Sequence, residues 1–373
     1  HTIAVASQFE EIIVPIVLDA TTQPGYTGTP VVSLRGGGTL GLVVGAGNSV
    51  VRGLSIGGFT AGLFFGGQGG NVVEACHIGV DASGTMVVPN DSGVVINQTP
   101  NHRVGGEQPA QRNVISGNTQ VAFQILGSAS AGTVIEGNYI GTTAAGTAAL
   151  PNSGGGLVVD GTTGVTIGGA TPGARNVIAG NGAAGVTVIG ASTSGLVISA
   201  NTIGLNAAGT DALPNNGEGG RGLNAPSVRI GGATAGERNL ISGNATHGVH
   251  VAGPESSGVA VAGNWLGLAA NGTTAVPNGT DDTRQSGHHG VFVVNAPGVT
   301  IGGASAAPGA APGNVIAGNA AHEVYVTAAP DQPATGVQIL GSLLGTDASG
   351  SAAVVAGQEA VGVTGAVPGM QVG

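Results

Sequence analysis

Apolar residues in this chain come in short runs. Gly155-Gly156-Leu157-Val158-Val159, Val165-Thr166-Ile167-Gly168 and Arg175-Asn176-Val177-Ile178 alternate inward and outward positions, then stop at Gly, Asn or Ala. Such runs read as short strands bounded by turns. Glycine interrupts every window of eleven residues, so a helical period has no room to develop. A second triplet follows at once: Gly185-Val186-Thr187-Val188, Leu196-Val197-Ile198 and Thr202-Ile203-Gly204. The pattern then recurs. Ile167-Gly168-Gly169 returns as Ile230-Gly231-Gly232, Arg175-Asn176-Val177-Ile178 as Arg238-Asn239-Leu240-Ile241, and Leu150-Pro151-Asn152 as Leu213-Pro214-Asn215, each 63 residues on. A period of that length predicts a solenoid, with three strands to a rung and two rungs to a repeat.

The predicted organisation is an irregular N-terminal rung over residues 1–40, then a parallel β-helix over 41–373 with two rungs per 63-residue repeat. Residues 42–56 and 61–78 read as shorter rungs. Units begin at Ile78, Ile140, Ile203 and Leu266, and a fifth begins at Leu344 and stops mid-rung; the unit from Leu266 carries 15 extra residues. About eleven rungs at ~4.8 Å each give a rod roughly 50 Å long. Two loops, 146–152 and 169–174, recur at fixed corners of the coil.

The recurring motif NxIGG…GARNVISGN…GVxVxG…GNxIGxxxxGTxALPN, spelled by residues such as 173–178 and 146–152, resembles the bacterial right-handed parallel β-helix repeat proteins of the pectate-lyase-like group. Residues 7–26, with Thr22-Gln23-Pro24-Gly25-Tyr26, resemble the first rung of their larger secreted members. The resemblance implies an all-β fold, a single-stranded right-handed parallel β-helix, and a place outside a bacterial cell. The motif residues are turn and core residues, so the resemblance speaks to fold more than to activity.

Composition narrows the partners. Glycine supplies 74 of 373 residues and aromatics 3%, so the core must be thin layers of Val, Ile, Leu and Ala. All nine basic residues are arginines, and with 19 acidic residues the net charge is -10, which argues against nucleic acid or an anionic membrane as partner. No apolar run is long enough for a membrane span. The single cysteine, Cys76, lies in an apolar strand and reads as a packed thiol. The start at His1, without Met or a signal sequence, marks a processed protein or an excised piece. Residues 360–373 offer no polar cover for the last rung, so end-to-end self-association or a missing flanking domain is expected.

Asn113, Asn176, Asn239 and Asn314 recur once per unit, as do Asn118, Asn181, Asn244 and Asn319. They read as left-handed turn residues whose amides bond up and down the stack. Asp81, Thr143, Asn206, Ala269 and Asp347 share one turn position; a calcium ladder would need oxygen ligands throughout, so an Asx turn is expected. Arg112, Arg175 and Arg238 read as corner hydrogen-bonders, which leaves Arg221, Arg284 and Arg229 for other work. Trp265 falls on a different face.

Chemistry gathers where the pattern breaks. Residues 278–289 (Asn-Gly-Thr-Asp-Asp-Thr-Arg-Gln-Ser-Gly-His-His) contain eight more residues than 215–218 in the previous unit. Aligning first strands sets Glu218, His247, His289, His322 and Glu359 one above another, and the outward position three residues later holds Arg221, His250, Phe292, Tyr325 and Gly362. The equivalents one unit earlier are Gly155 and Ala184, then Val158 and Thr187. This strip has three readings. It is a carbohydrate groove, with Phe292 and Tyr325 stacking on sugars and Asp281, Asp282, Arg284 and His250 bonding to them. It is catalytic, with paired carboxylates for hydrolysis or an Arg or His base for elimination. Or His247, His289 and His322 bind a transition metal. We take Asp281, Asp282, His289 and His250 as candidate catalytic residues, and Glu218, Arg221, His247, Arg284, His288, Phe292, His322 and Tyr325 as candidate ligand-binding residues, with neither a metal nor a cofactor. The expected function is an extracellular or cell-surface structural or adhesive rod that binds polysaccharide, a cell-surface glycan among them; the alternative is a polysaccharide lyase or glycoside hydrolase working through the same face.

Overall fold

The computed structural model describes residues 1–279, 287–354 and 357–373. Gly155–Asp160, Thr166–Gly168 and Val177–Ile178 form one turn of a coil, and Val186–Ile189, Val197–Ser199 and Thr202–Ile203 the next. Strands of one kind stack from rung to rung. Among the described residues they make a first sheet of eleven strands, from Leu40–Val44 to Val361–Gly365, and two of twelve. The second runs from Val17–Asp19 to Gln371–Val372 and the third from Thr2–Ala4 to Leu343–Leu344. Pairing is parallel and in step: Leu157 lies beside Val186, Ile167 beside Ile198, and Ile178 beside Ile203. The chain is a single right-handed parallel β-helix, the hand that a right-twisted strand favours for parallel crossovers.

Strand side chains point alternately in and out, so each inward position repeats its residue type along the rod. Ile135, Ile167, Ile198 and Ile230 line the second sheet, and Ile115, Ile140, Ile178, Ile203 and Ile241 the third; all are buried. Cys76 is buried among them, and burial pushes its thiol up to about 12. It is a packing residue.

The corners are held by two asparagine ladders longer than the repeat alone suggests. In one, the side-chain amides of Asn113, Asn138, Asn176, Asn201, Asn239 and Asn264 each donate to the side-chain oxygen of the next, ending on Asn314. In the other the chain runs through Asn90, Asn118, Asn152, Asn181, Asn215, Asn244 and Asn278 to Asn319. They bond up the stack as expected, but they are not in the left-handed region. Before Asn138, Asn181, Asn201 and Asn244 the positive φ falls one residue earlier, at Gly137 (69°), Gly180 (72°), Ala200 (58°) and Gly243 (73°), whereas Asn113, Asn176 and Asn239 follow arginines in extended backbone. In both settings the asparagine turns inward, where its carboxamide satisfies backbone groups that the corner leaves unpaired. The second ladder ends on a carboxylate: Glu323 accepts from the Asn319 amide at 2.5 Å and from the Gly318 N–H at 3.0 Å. Burial pushes its carboxyl up to about 7.

The other turn expectations resolve simply. Asp81, Asn206 and Asp347 accept the N–H groups of Thr85, Thr210 and Ser351, four residues on, a longer reach than the two-residue Asx turn expected. Arg112, Arg175 and Arg238 donate from Nε to the carbonyls of Gly137, Ala200 and Gly263, and the first and third lie over Tyr139 and Trp265 on the third sheet. Arg229 is not near the strip. It sits in the second sheet at Arg229–Gly231 and pairs with Glu237 at 2.7 Å.

Candidate functional site

On the first sheet the strands Gly220–Leu223, Val249–Ala252, Val291–Val294 and Val324–Ala328 are paired so that Arg221, His250, Phe292, Tyr325 and then Gly362 form one row. The row below continues with Thr187 and Val158. Just ahead of the strands a second row runs parallel. The N–H groups of Gly219, Gly248 and Gly290 donate to the carbonyls of His247, His289 and His322, which sets those histidines one above another.

Backbone hydrogen bonds then decide where the imidazole protons sit. The His289 N–H donates to Nδ1 of His247 at 3.0 Å, and the His322 N–H donates to Nδ1 of His289 at 3.2 Å. An Nδ1 that accepts carries no proton, so both rings are neutral with their hydrogen on Nε2. Burial, reinforced by neighbouring histidines, holds both well down, to about 3. His250 and His322 are protonated the other way round. His250 Nδ1 donates to Glu218 Oε1 at 3.1 Å, and His322 Nδ1 donates to the Glu359 carbonyl at 3.1 Å. Burial alone would raise the Glu218 carboxyl, but the bond from His250 and the nearby Arg221 bring it down to about 2. Arg221 Nε lies 3.9 Å from Glu218 Oε1.

The rings form two adjoining columns. His247 stacks on His289 and His289 on His322, with centroids 5.3 and 5.2 Å apart. His250 stacks on Phe292 at 5.0 Å, and Tyr325 lies nearly parallel to His322 and His289 at 5.0 and 4.6 Å. At these separations near-parallel rings pack offset, each against part of the next. Phe292 and Tyr325 are half-buried in the stack, and part of each face is covered by neighbouring rings. The Tyr325 hydroxyl bonds Thr364 at 3.0 Å. His288 approaches His247 edge-on at 5.6 Å. Asp281, Asp282 and Arg284 lie outside the described residues. No cluster of three His, Cys, Asp or Glu side chains suited to a metal occurs among the described residues.

Two features escaped the sequence reading. The Glu218–His250 bond joins positions 32 apart, legible only as a one-rung offset between the two rows. The other is a gap in the core beneath Arg221. Gly220 and Gly222 occupy inward positions filled by Val186 and Val188 one rung below and by Val249 and Val251 one rung above. A small void of about 10 Å³ lies there, among Val188, Ile198, Gly222, Val228, Ile230, Val251 and Val259. Gly-Arg-Gly where every neighbour reads Val-x-Val was the available signal.

No protein-family model and no curated protein matches the sequence. Solved structures of similar form include the A-module of the mannuronan C-5 epimerase AlgE6 of Azotobacter vinelandii, at 15% identity, covering all of this chain and 88% of that one, with a TM-score of 0.41. The Dettilon tailspike protein is 15% identical over 97% of this chain and 61% of its own, with a TM-score of 0.49. A PL6 family polysaccharide lyase from Pseudopedobacter saltans is 14% identical over 97% of this chain and 88% of its own, with a TM-score of 0.32. By its own three parallel sheets, the chain has a three-sheeted parallel β-helix architecture.

Proposed function

We propose that the chain is an extracellular or cell-surface β-helix that binds a polysaccharide along the ring ladder of its first sheet. The observation that carries this is the polarity of the ladder's outer edge. Half-exposed His247, His250 and His322 carry hydrogen-bonding nitrogens beside the rings of Phe292 and Tyr325, with an Nε2–H fixed on His247 and an Nδ1–H on His250 and His322, while His289 is buried beneath them. Polar nitrogens beside apolar rings suit a polyhydroxylated ligand, which offers both kinds of partner and C–H surface. With a net charge of -10 and no lysine, a neutral glycan fits better than a polyanion. Retention on immobilised neutral polysaccharides, and its loss in Arg221→Ala and Tyr325→Ala with unfolding midpoints preserved, is the expected result. Equal retention by parent and variants would remove the strip from the account.

A second reading, a polysaccharide lyase or glycoside hydrolase, is favoured by one observation: a histidine oriented by a half-buried carboxylate. It requires new reducing ends or unsaturated products that vanish when Asp281, Asp282, His250 and His289 are replaced by Ala.

A further inference from the structure

We propose that Glu218 and His250 form a general-base site that hydrolyses acyl esters on the bound glycan. The inference rests on the glycan-binding reading and adds a reaction to it. Three chemistries compete for a base in such a place, and the surrounding groups separate them.

Glycosidic hydrolysis needs two carboxyl groups flanking the bond, one of them protonated. Among the described residues of the strip, Glu218 is engaged with His250 and Arg221, and Glu323 turns inward to Asn319 and Gly318. Glu359 is exposed at the far end of the row. Elimination from a uronate needs cations to neutralise the sugar carboxylate. Here, among the described residues, Arg221 is shared with Glu218, and the chain has no lysine. Ester hydrolysis asks for less: an oriented base, donors for an oxyanion, and water.

The base and one donor are present. His250 Nδ1–H is held by Glu218, so Nε2 is the nitrogen that offers a lone pair when the ring is neutral. The neighbouring His247 ring, with its centroid 5.4 Å from that of His250, is fixed as an Nε2–H donor. Neutral donors are the better choice here, because they stabilise an oxyanion without surrendering a proton to it.

The step balances with water as the only co-reactant. Water oxygen bonds to the acyl carbon while one of its protons passes to His250 Nε2. The carbonyl π pair moves onto oxygen, where the Nε2–H of His247 receives it. Glu218 stabilises the imidazolium. The pair then re-forms the carbonyl, the bond from acyl carbon to sugar oxygen breaks, and that oxygen takes the proton back from His250. A sugar hydroxyl and a carboxylic acid leave. His250 is the catalytic residue and Glu218 a positioning residue.

The test measures acetate release from an O-acetylated neutral polysaccharide and hydrolysis of 4-nitrophenyl acetate, with retention on the same polysaccharide followed in parallel. The parent should turn over both. His250→Ala should lose about 100-fold or more in kcat, the scale of general-base catalysis, and added imidazole should restore part of it. Glu218→Gln should lower kcat with KM unchanged, and Glu218→Asp should recover some of the loss, a pattern a purely structural role would not give. Retained glycan with no His250-dependent acetate release overturns this inference and leaves the binding reading intact. Turnover of 4-nitrophenyl acetate without retention on any glycan overturns the binding reading instead.

Discussion

Side chains just ahead of the first-sheet strands, His247, His289, Glu218 and Glu323 among them, carry protonation states that folding imposes, and these leave a mark on stability. The two imidazoles are held at about 3 against an ordinary 6.5, so the unfolded chain takes up two more protons between those values and stability falls as the pH drops through them. Glu218, at about 2 against 4.5, adds a further loss below pH 4.5. Glu323 has the opposite sign. Its folded value of about 7 exceeds 4.5, so its contribution is complete below 4.5 and is lost as the pH rises to 7. His102, held at about 4 by burial, and His77, also lowered by burial, act in the same sense, so from pH 4.5 to 6.5 the imidazoles outweigh Glu323 and stability should rise with pH. Each net proton is worth about 1.4 kcal/mol per pH unit, reduced where solvent screens the groups. Glu323→Gln removes the opposing proton and should steepen that limb. Urea midpoints across this range check both; a flat parent profile, or a variant that runs parallel to it, would contradict the assigned protonation states.

At the scale of a strand, glycine decides what can be changed. In Gly220–Leu223 a Cβ on Gly222 would meet nothing within 4 Å, whereas one on Gly219 would fall 2.6 Å from Ile241 Cγ2 and 2.7 Å from the Gly248 carbonyl. Gly222→Ala should therefore stabilise by about 1 kcal/mol, through a less free unfolded chain and a buried methyl. Gly219→Ala should cost about 1–3 kcal/mol by overpacking. Chemical denaturation of the two variants should give opposite signs; the same sign would mean that the gap beneath Arg221 is not real. The strands themselves were legible in sequence because alternation and a constant period act locally: Val186–Ile189, Val197–Ser199 and Thr202–Ile203 each sit where the repeat put them. The two rows of the strip were legible for the same reason, since a fixed period transmits register from rung to rung. What the sequence did not disclose depends on side-chain torsions. Whether Phe292 offers a face or an edge, which nitrogen of His247 accepts, and whether Glu218 reaches His250 are settled by neighbours one rung away. The asparagine ladders lay between the two cases: their spacing was visible, their backbone angle was not.

A solenoid's stability is close to a sum over rungs and the interfaces between them, so its weakest interface shows wherever it lies. In a uniform rod the ends would open first and the middle last. This rod is not uniform. The inward columns of the first sheet run through Leu157, Val186, Val249 and Val291, and through Val159, Val188, Val251 and Val293, and Gly220 and Gly222 interrupt both at the same rung. The Gly220–Leu223 strand is accordingly less buried than Val186–Ile189 below it. Amide hydrogen exchange should be faster in Gly220–Leu223 than in Val186–Ile189 or Val249–Ala252, although the strand lies well inside the rod. The same strand brings Arg221, and its approach brings Glu218, to a site whose partner His250 stands on the intact rung above. A ligand gripping both rungs bridges the weak interface, and its binding energy must appear as added protection there. Exchange in Gly220–Leu223 should slow on adding a retained polysaccharide, while strands near Leu40–Val44 stay unchanged. Uniform protection across the three strands would remove the weak rung. Slowing that is equal along the rod would place the ligand somewhere other than the strip.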